Sequence, residues 1–223
     1  MIDNLLTYPS SCLVGKTVPK KTFTQHLDLS TSVRQHLQDD ILSFTWLYKI
    51  APTTLQVQAA PAMPEIEVFL AQCKSDSTPL DAFIAIDKYM PQFLVFILQH
   101  ADTFHLLINY KQWADTEHTH FNIIQTFVTP ALQRTELTLP IQGTELPTIY
   151  DNFVRHIAGN NLPSGSNNPL QADVLTFQQQ KAIEKRMAQL TQQMRREQQP
   201  NRKFILHQQI NQLRNELNSI WKN

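Results

Sequence analysis

The chain has 223 residues, 42% of them hydrophobic and 17% charged, which fits one domain, or a domain with an appendage, and excludes a disordered composition. Its longest apolar run falls far short of the roughly 20 residues that span a bilayer, so no membrane partner is expected. The net charge is zero, the start (MIDNLLTYPSSCLVGK) has no basic segment ahead of an apolar block, and the cysteines, Cys12 and Cys73, form neither a disulfide framework nor a paired metal motif. A cytoplasmic location is expected.

In chain order, residues 1–25 read as an irregular lead-in, with Val18-Pro19-Lys20-Lys21 extended by its proline. The spacing of Val33, Leu37, Ile41, Phe44 and Tyr48 predicts one helix over 32–50. Ser32 and Gln35 have capping-box spacing, and Ala51-Pro52 is the stop. The alternation of TTLQVQAA predicts a strand over 53–60. Residues 65–74 predict the next strand, with Ile66, Val68, Leu70, Gln72 and Lys74 towards the core and Glu65, Glu67, Phe69, Ala71 and Cys73 on the opposite face. Thr78-Pro79 is read as opening a helix with Leu80, Phe83 and Ile84 buried and Asp87 at the rim. Phe93–Leu98 is apolar at six consecutive positions, which marks a strand covered on both faces and hence central. Residues 104–111 pair with it as a hairpin, a polar loop follows over 112–120, and strands are expected over 121–129 and 136–139. Pro147 opens a helix through Ile157.

The last quarter differs in kind. Residues 159–170 (GNNLPSGSNNPL) contain two of the four glycines and no charge, as a flexible linker does. Beyond it Ile183, Met187, Leu190 and Met194, then Leu206, Ile210, Leu213, Leu217 and Ile220, step by three and four on either side of Pro200. This predicts an antiparallel helical hairpin, or a dimer in which each half pairs with a second chain. The organisation is therefore an α+β body over 1–158, a linker over 159–171 and a helical hairpin over 172–223. Residues 1–169 carry 10 basic and 15 acidic side chains (−5), and residues 170–223 carry 9 and 4 (+5). The basic candidates are Lys181, Lys185, Arg186, Arg195, Arg196, Arg202 and Lys203. They could contact nucleic-acid phosphates, or form a solvated helical face docked on the acidic body.

Chemistry is less legible. A mixed sheet with a helix between strands has the pattern of a restriction-endonuclease-like core, in which strand-end carboxylates hold a divalent cation and a lysine activates water. The matching residues are Glu67, Gln72 and Lys74. Gln72 lacks the charge a hard cation needs, and Glu67 has the wrong parity relative to Lys74. A degenerate, catalytically silent core is the better reading, and no cofactor or metal is expected. His118-Thr119-His120 beside Glu117 could hold zinc with one further ligand, but reads more simply as an exposed loop.

Several short segments resemble the bacterial domain of unknown function 4391 family. They are Val18-Pro19-Lys20-Lys21 with Phe23, Thr45–Pro52 with Thr54, and Glu65-Ile66-Glu67-Val68-Phe69. Ile86-Asp87-Lys88 before Pro91, Tyr110-Lys111, and Ile149-Tyr150-Asp151-Asn152-Phe153 complete the likeness. The resemblance implies an accessory role beside helicases and DNA methyltransferases of restriction-like antiphage systems. The expected protein is thus a non-catalytic interaction module with a helicase or methyltransferase partner, and with DNA as a further ligand. The alternative is a divergent metal-dependent nuclease.

Overall fold

Phe93–His100 (β4) lies inside a mixed six-stranded sheet, and all six residues Phe93–Leu98 are buried, as a strand covered on both faces requires. The computed structural model describes residues 5–115 and 120–220. Its sheet runs β1 (Leu13–Val18), β2 (Ile41–Ile50), β3 (Ile66–Cys73), β4, β5 (Thr103–Trp113), β6 (Phe121–Val128), in spatial as in chain order. Every neighbouring pair is antiparallel except β3 and β4. A parallel pair needs a crossover, and α3 (Asp81–Tyr89) supplies it.

Two helical layers cover the sheet. On one face α1 (Lys20–His26), α2 (Thr31–Asp39) and α3 close a core with Phe23, Phe44, Phe69, Phe83 and Phe96. Phe44 meets Phe23 edge-on with centroids 5.1 Å apart, and Phe83 meets Phe96 at 5.3 Å. On the other face α4 (Leu146–Ala158) packs on β5 and β6, burying Ile149, Tyr150, Phe153 and Ile157. The chain divides into two units, 1–159 and 160–223. The second consists mainly of α5 (Leu170–Arg196) and α6 (Pro200–Ile220), packed on each other across a three-residue turn, so the pair is antiparallel. Ile183, Leu190 and Ile210 are buried in it, while the remaining seam positions are half covered, as two helices alone allow. α5 is about 40 Å long at 1.5 Å per residue. No described helix is long and apolar enough to cross a membrane.

Several expectations need correction. The helix expected over 32–50 is two elements: α2, capped by Ser30 Oγ accepting the Val33 N–H at 3.3 Å, and then β2. The register irregularity in β2 at Ile41/Ser43 brings Ile41 and Phe44, three apart, onto one face, while Tyr48 pairs with Val68 and is buried on the other; burial on both faces imitates helical spacing. Residues 53–56 form turns, and 57–60 make only isolated bridges at Gln58 and Ala60, not a strand; Thr54 Oγ1 accepts the Ala51 N–H and donates to the Lys49 carbonyl. Glu136 closes a turn, its N–H donating to the Gln133 carbonyl at 2.9 Å, and residues 137–139 lie outside the sheet, where the Leu139 carbonyl accepts from Tyr8 Oη at 2.6 Å. Both faces of β3 are buried, Glu67 included. The helix after β3 starts at Asp81, two residues beyond Pro79. A restriction-endonuclease-like core is not confirmed, since the segment expected as its first strand is turns.

Removing the Phe96 ring leaves a void between α3 and β3. Phe96→Ala should cost about 3–5 kcal/mol in urea denaturation. Leu42, 56% exposed on the same sheet, should tolerate serine within about 0.5 kcal/mol. Equal losses at the two positions would contradict this placement of the core.

Candidate functional site

The three residues of the nuclease reading are not brought together. Glu67 is buried near the start of β3. Gln72 is exposed at its far end, where its Oε1 accepts from Ser43 Oγ at 2.9 Å. Lys74 is exposed just past the strand. Seven residue steps along the chain separate Glu67 from Lys74, about 23 Å when extended, far too long for two groups to share a cation. Among the described residues no group of three or more His, Cys, Asp or Glu could hold a metal ion. Glu117 and His118 lie outside the described residues; His120 faces the Asp115 carboxylate at 3.7 Å.

The carboxyl ends of β3 and β4 open a cavity of about 240 Å³ lined by Cys73, Asp76, His100 and His105 among others. Crevices at the ends of parallel strands commonly hold ligands. Here His105 is held between the Thr129 carbonyl (3.0 Å) and Asp76 (3.1 Å). His100 faces the Cys73 carbonyl rather than its sulfur. Burial pushes the Cys73 thiol up, the opposite of what an activated nucleophile needs.

What sequence reasoning missed is a buried polar network. Asp87, expected at the rim, is fully buried and paired with Lys111. Asp87 falls on the inward stripe of α3, and Lys111 shares the inward parity of Leu107 and Asn109 on β5. Lys111 Nζ donates to Asp87 Oδ1, to the Asp87 carbonyl (2.9 Å) and to the Gln92 carbonyl (2.8 Å), so all three ammonium donors are used. The ring of Phe121 stands 3.8 Å from the same nitrogen. Asn109 donates to Asp87 Oδ2 at 2.8 Å and accepts from Thr126 at 2.7 Å. Its carbonyl accepts from Tyr150 Oη. Burial is the largest influence on both charges, driving Asp87 up and Lys111 down, and their mutual attraction acts against it. Every polar group here is turned inward and satisfied. The arrangement is a clamp, not a reaction centre.

Glu67 is different. Burial, then the charge of Glu65 and a hydrogen bond to it, push its carboxyl from the ordinary 4.5 to about 7. Lys49 Nζ pairs with Glu65.

The basic candidates all lie on α5 and α6 and are all exposed. Arg195 and Arg196 occupy the last turn of α5; Arg202 and Lys203 fall in the first turn of α6. Lys181 is tied to Glu184 at 2.9 Å, one turn along the helix, while Lys185 and Arg186 extend the basic face of α5.

Two outcomes follow from these geometries. Lys111→Met leaves a buried carboxylate uncompensated and should cost about 3–5 kcal/mol, while adding Asp87→Leu should restore more than half of the loss. A double variant no better than the single one would show that the pair is not the source. For Glu67, the unfolded chain releases a proton between pH 4.5 and about 7 that the folded chain retains, so stability falls as pH rises through that window. The fall should be on the order of 3 kcal/mol. Urea midpoints on either side of the window should show it in the wild type and not in Glu67→Gln; the same slope in both would refute the assignment.

No curated protein and no solved structure shows significant similarity to this chain. A family model does match, over residues 6–217, nearly the whole length. Asp87, Lys111 and Tyr150, far apart in sequence and each within a segment that carries the likeness, meet in the clamp described above. The chain belongs to the domain of unknown function family DUF4391.

Proposed function

We propose that this protein is a non-catalytic accessory module whose helical hairpin binds DNA through its tip. The observation that carries the reading is the tip's charge. Arg195, Arg196, Arg202 and Lys203 converge there, exposed, with a single acid, Glu197. That carboxylate is occupied in accepting the N–H groups of Gln198 and Gln199. Arg202 and Lys203 also oppose the dipole of α6, whose first turn contains no acid. Cations placed against a helix dipole cost stability, and an anionic ligand would relieve that cost. Phe204 beside them is 62% exposed and offers a face on which a base can stack.

The body would dock on a helicase or DNA methyltransferase of a restriction-like antiphage system. Family likeness supports this half of the reading, together with the acidic balance of residues 1–169. The scatter of Glu67, Gln72 and Lys74 speaks against the nuclease alternative.

The test is retention of a DNA fragment at several salt concentrations. Replacing Arg195, Arg196, Arg202 and Lys203 by alanine should weaken binding and flatten the log–log salt slope by roughly 3. Unchanged retention would leave the hairpin as an oligomerisation device. Cleavage of the fragment with magnesium or manganese, lost on Lys74→Ala, would replace this reading with the nuclease.

A further inference from the structure

Between α1 and the sheet lies a cavity of about 380 Å³ that neither the clamp nor the hairpin uses. Its floor is Trp46 of β2 with Glu67 and Phe69 of β3 and Glu65 just before that strand. Trp46 and Phe69 are directly paired across β2 and β3, so both side chains stand on one face of the sheet. Phe23 of α1 and Leu27 just after that helix form a wall, and Gln92, ahead of β4, also lines the cavity.

The lining has an unusual balance. It is apolar and aromatic in bulk, and its acidic groups are two carboxylates, with the Gln92 amide, a donor as well as an acceptor, beside them. The Oε1 atom of Gln92 is buried and finds no hydrogen-bond partner among the described residues. Buried acceptors are normally satisfied, and this one, too enclosed to meet solvent, lacks a donor beside the cavity. The Trp46 indole N–H is already committed to the Tyr48 carbonyl at 3.1 Å, which leaves the ring's faces as its means of contact. Aromatic faces and carboxylates in one cavity suit a cation with an apolar stem. The titratable groups around Glu67 are Glu65, Lys49 and, on α1, His26. Lys49 offsets Glu65, so an ionised Glu67 is the charge left for a ligand.

We propose that this cavity binds an organic cation, an alkylammonium or guanidinium on an apolar stem. The stem lies against Trp46, Phe69 and Phe23, and the cationic head reaches Glu67. Such a head supplies donors and a positive charge, which an ionised Glu67 lacks. The cation could be a free amine or the side chain of a lysine or arginine in a partner protein; the recognition chemistry is the same. This inference is independent of DNA binding at the hairpin.

The test uses the full-length protein and amide chemical shifts. Titration with n-butylammonium and n-butylguanidinium should give saturable shifts at residues 22–27, 46, 65–69 and 92. n-Butanol, a neutral ligand of the same length, should give none. A capped tripeptide with arginine at its centre tests the side-chain source: binding tighter than that of n-butylguanidinium assigns the site to a partner protein, and weaker binding assigns it to a free amine. Glu67→Gln preserves shape and should weaken the cation by about tenfold or more. Trp46→Leu, which keeps an apolar wall but loses the ring face, should weaken it severalfold. Glu136→Gln, exposed and outside the cavity lining, should change nothing. Absence of saturable shifts, equal binding of butanol, or undiminished affinity in Glu67→Gln would each overturn the proposal.

Discussion

Lys111 and Asp87 bury opposite charges inside the α+β unit, and much of the body's geometry is fixed by how they are satisfied. An ammonium and a carboxylate withdrawn from water cost several kcal/mol each unless every donor and acceptor is matched. Matching them requires the last turn of α3, the carbonyl ahead of β4, two residues of β5 and a hydroxyl from β6 to hold one arrangement. Through the Asn109 carbonyl the same network reaches Tyr150 of α4, on the opposite face of the sheet. It therefore ties both helical layers to one register of β5. A hydrophobic pair of the same volume would pack as tightly, but it would tolerate a slipped strand. A slip of one residue would turn the Lys111 ammonium to the other face and leave Asp87 unpaired, an error larger than a domain's usual margin of stability can absorb.

The sequence was legible where one physical signal dominated. β4 is apolar on both faces, so it could only be central. The hairpin helices repeat their apolar residues over several turns, and Pro200 marks the start of the second. Reading failed where a local irregularity imitated another element. One register shift in β2 put Ile41 and Phe44 on one face and Tyr48 is buried on the other, which together imitate helical spacing; the aromatic and β-branched content of ILSFTWLYKI was the better guide. TTLQVQAA alternates like a strand, yet the prolines on either side and the Thr54 side chain fold its start into turns. The clamp was half visible. Asp87 continues the stripe of Leu80, Phe83 and Ile84, and Lys111 ends the apolar run of β5, but only the crossover through α3 brings α3 and β5 together.

The candidate sites differ in how completely the chain compensates itself. Asp87 violates the rule that charges stay in water, and the violation is fully answered by Lys111, Asn109 and the surrounding carbonyls. Local rule-breaking that is answered internally belongs to the fold. Two other violations are not answered in that way. Glu67 is buried beside a second carboxyl and becomes more costly as the pH rises towards neutrality. Arg202 and Lys203 crowd the positive end of α6. In each case the missing group has a definite sign and shape: a cation on an apolar stem for the first, an extended polyanion for the second. An account of the protein's activity has to explain why both costs are retained at places where glutamine, or an acidic first turn, would have relieved them.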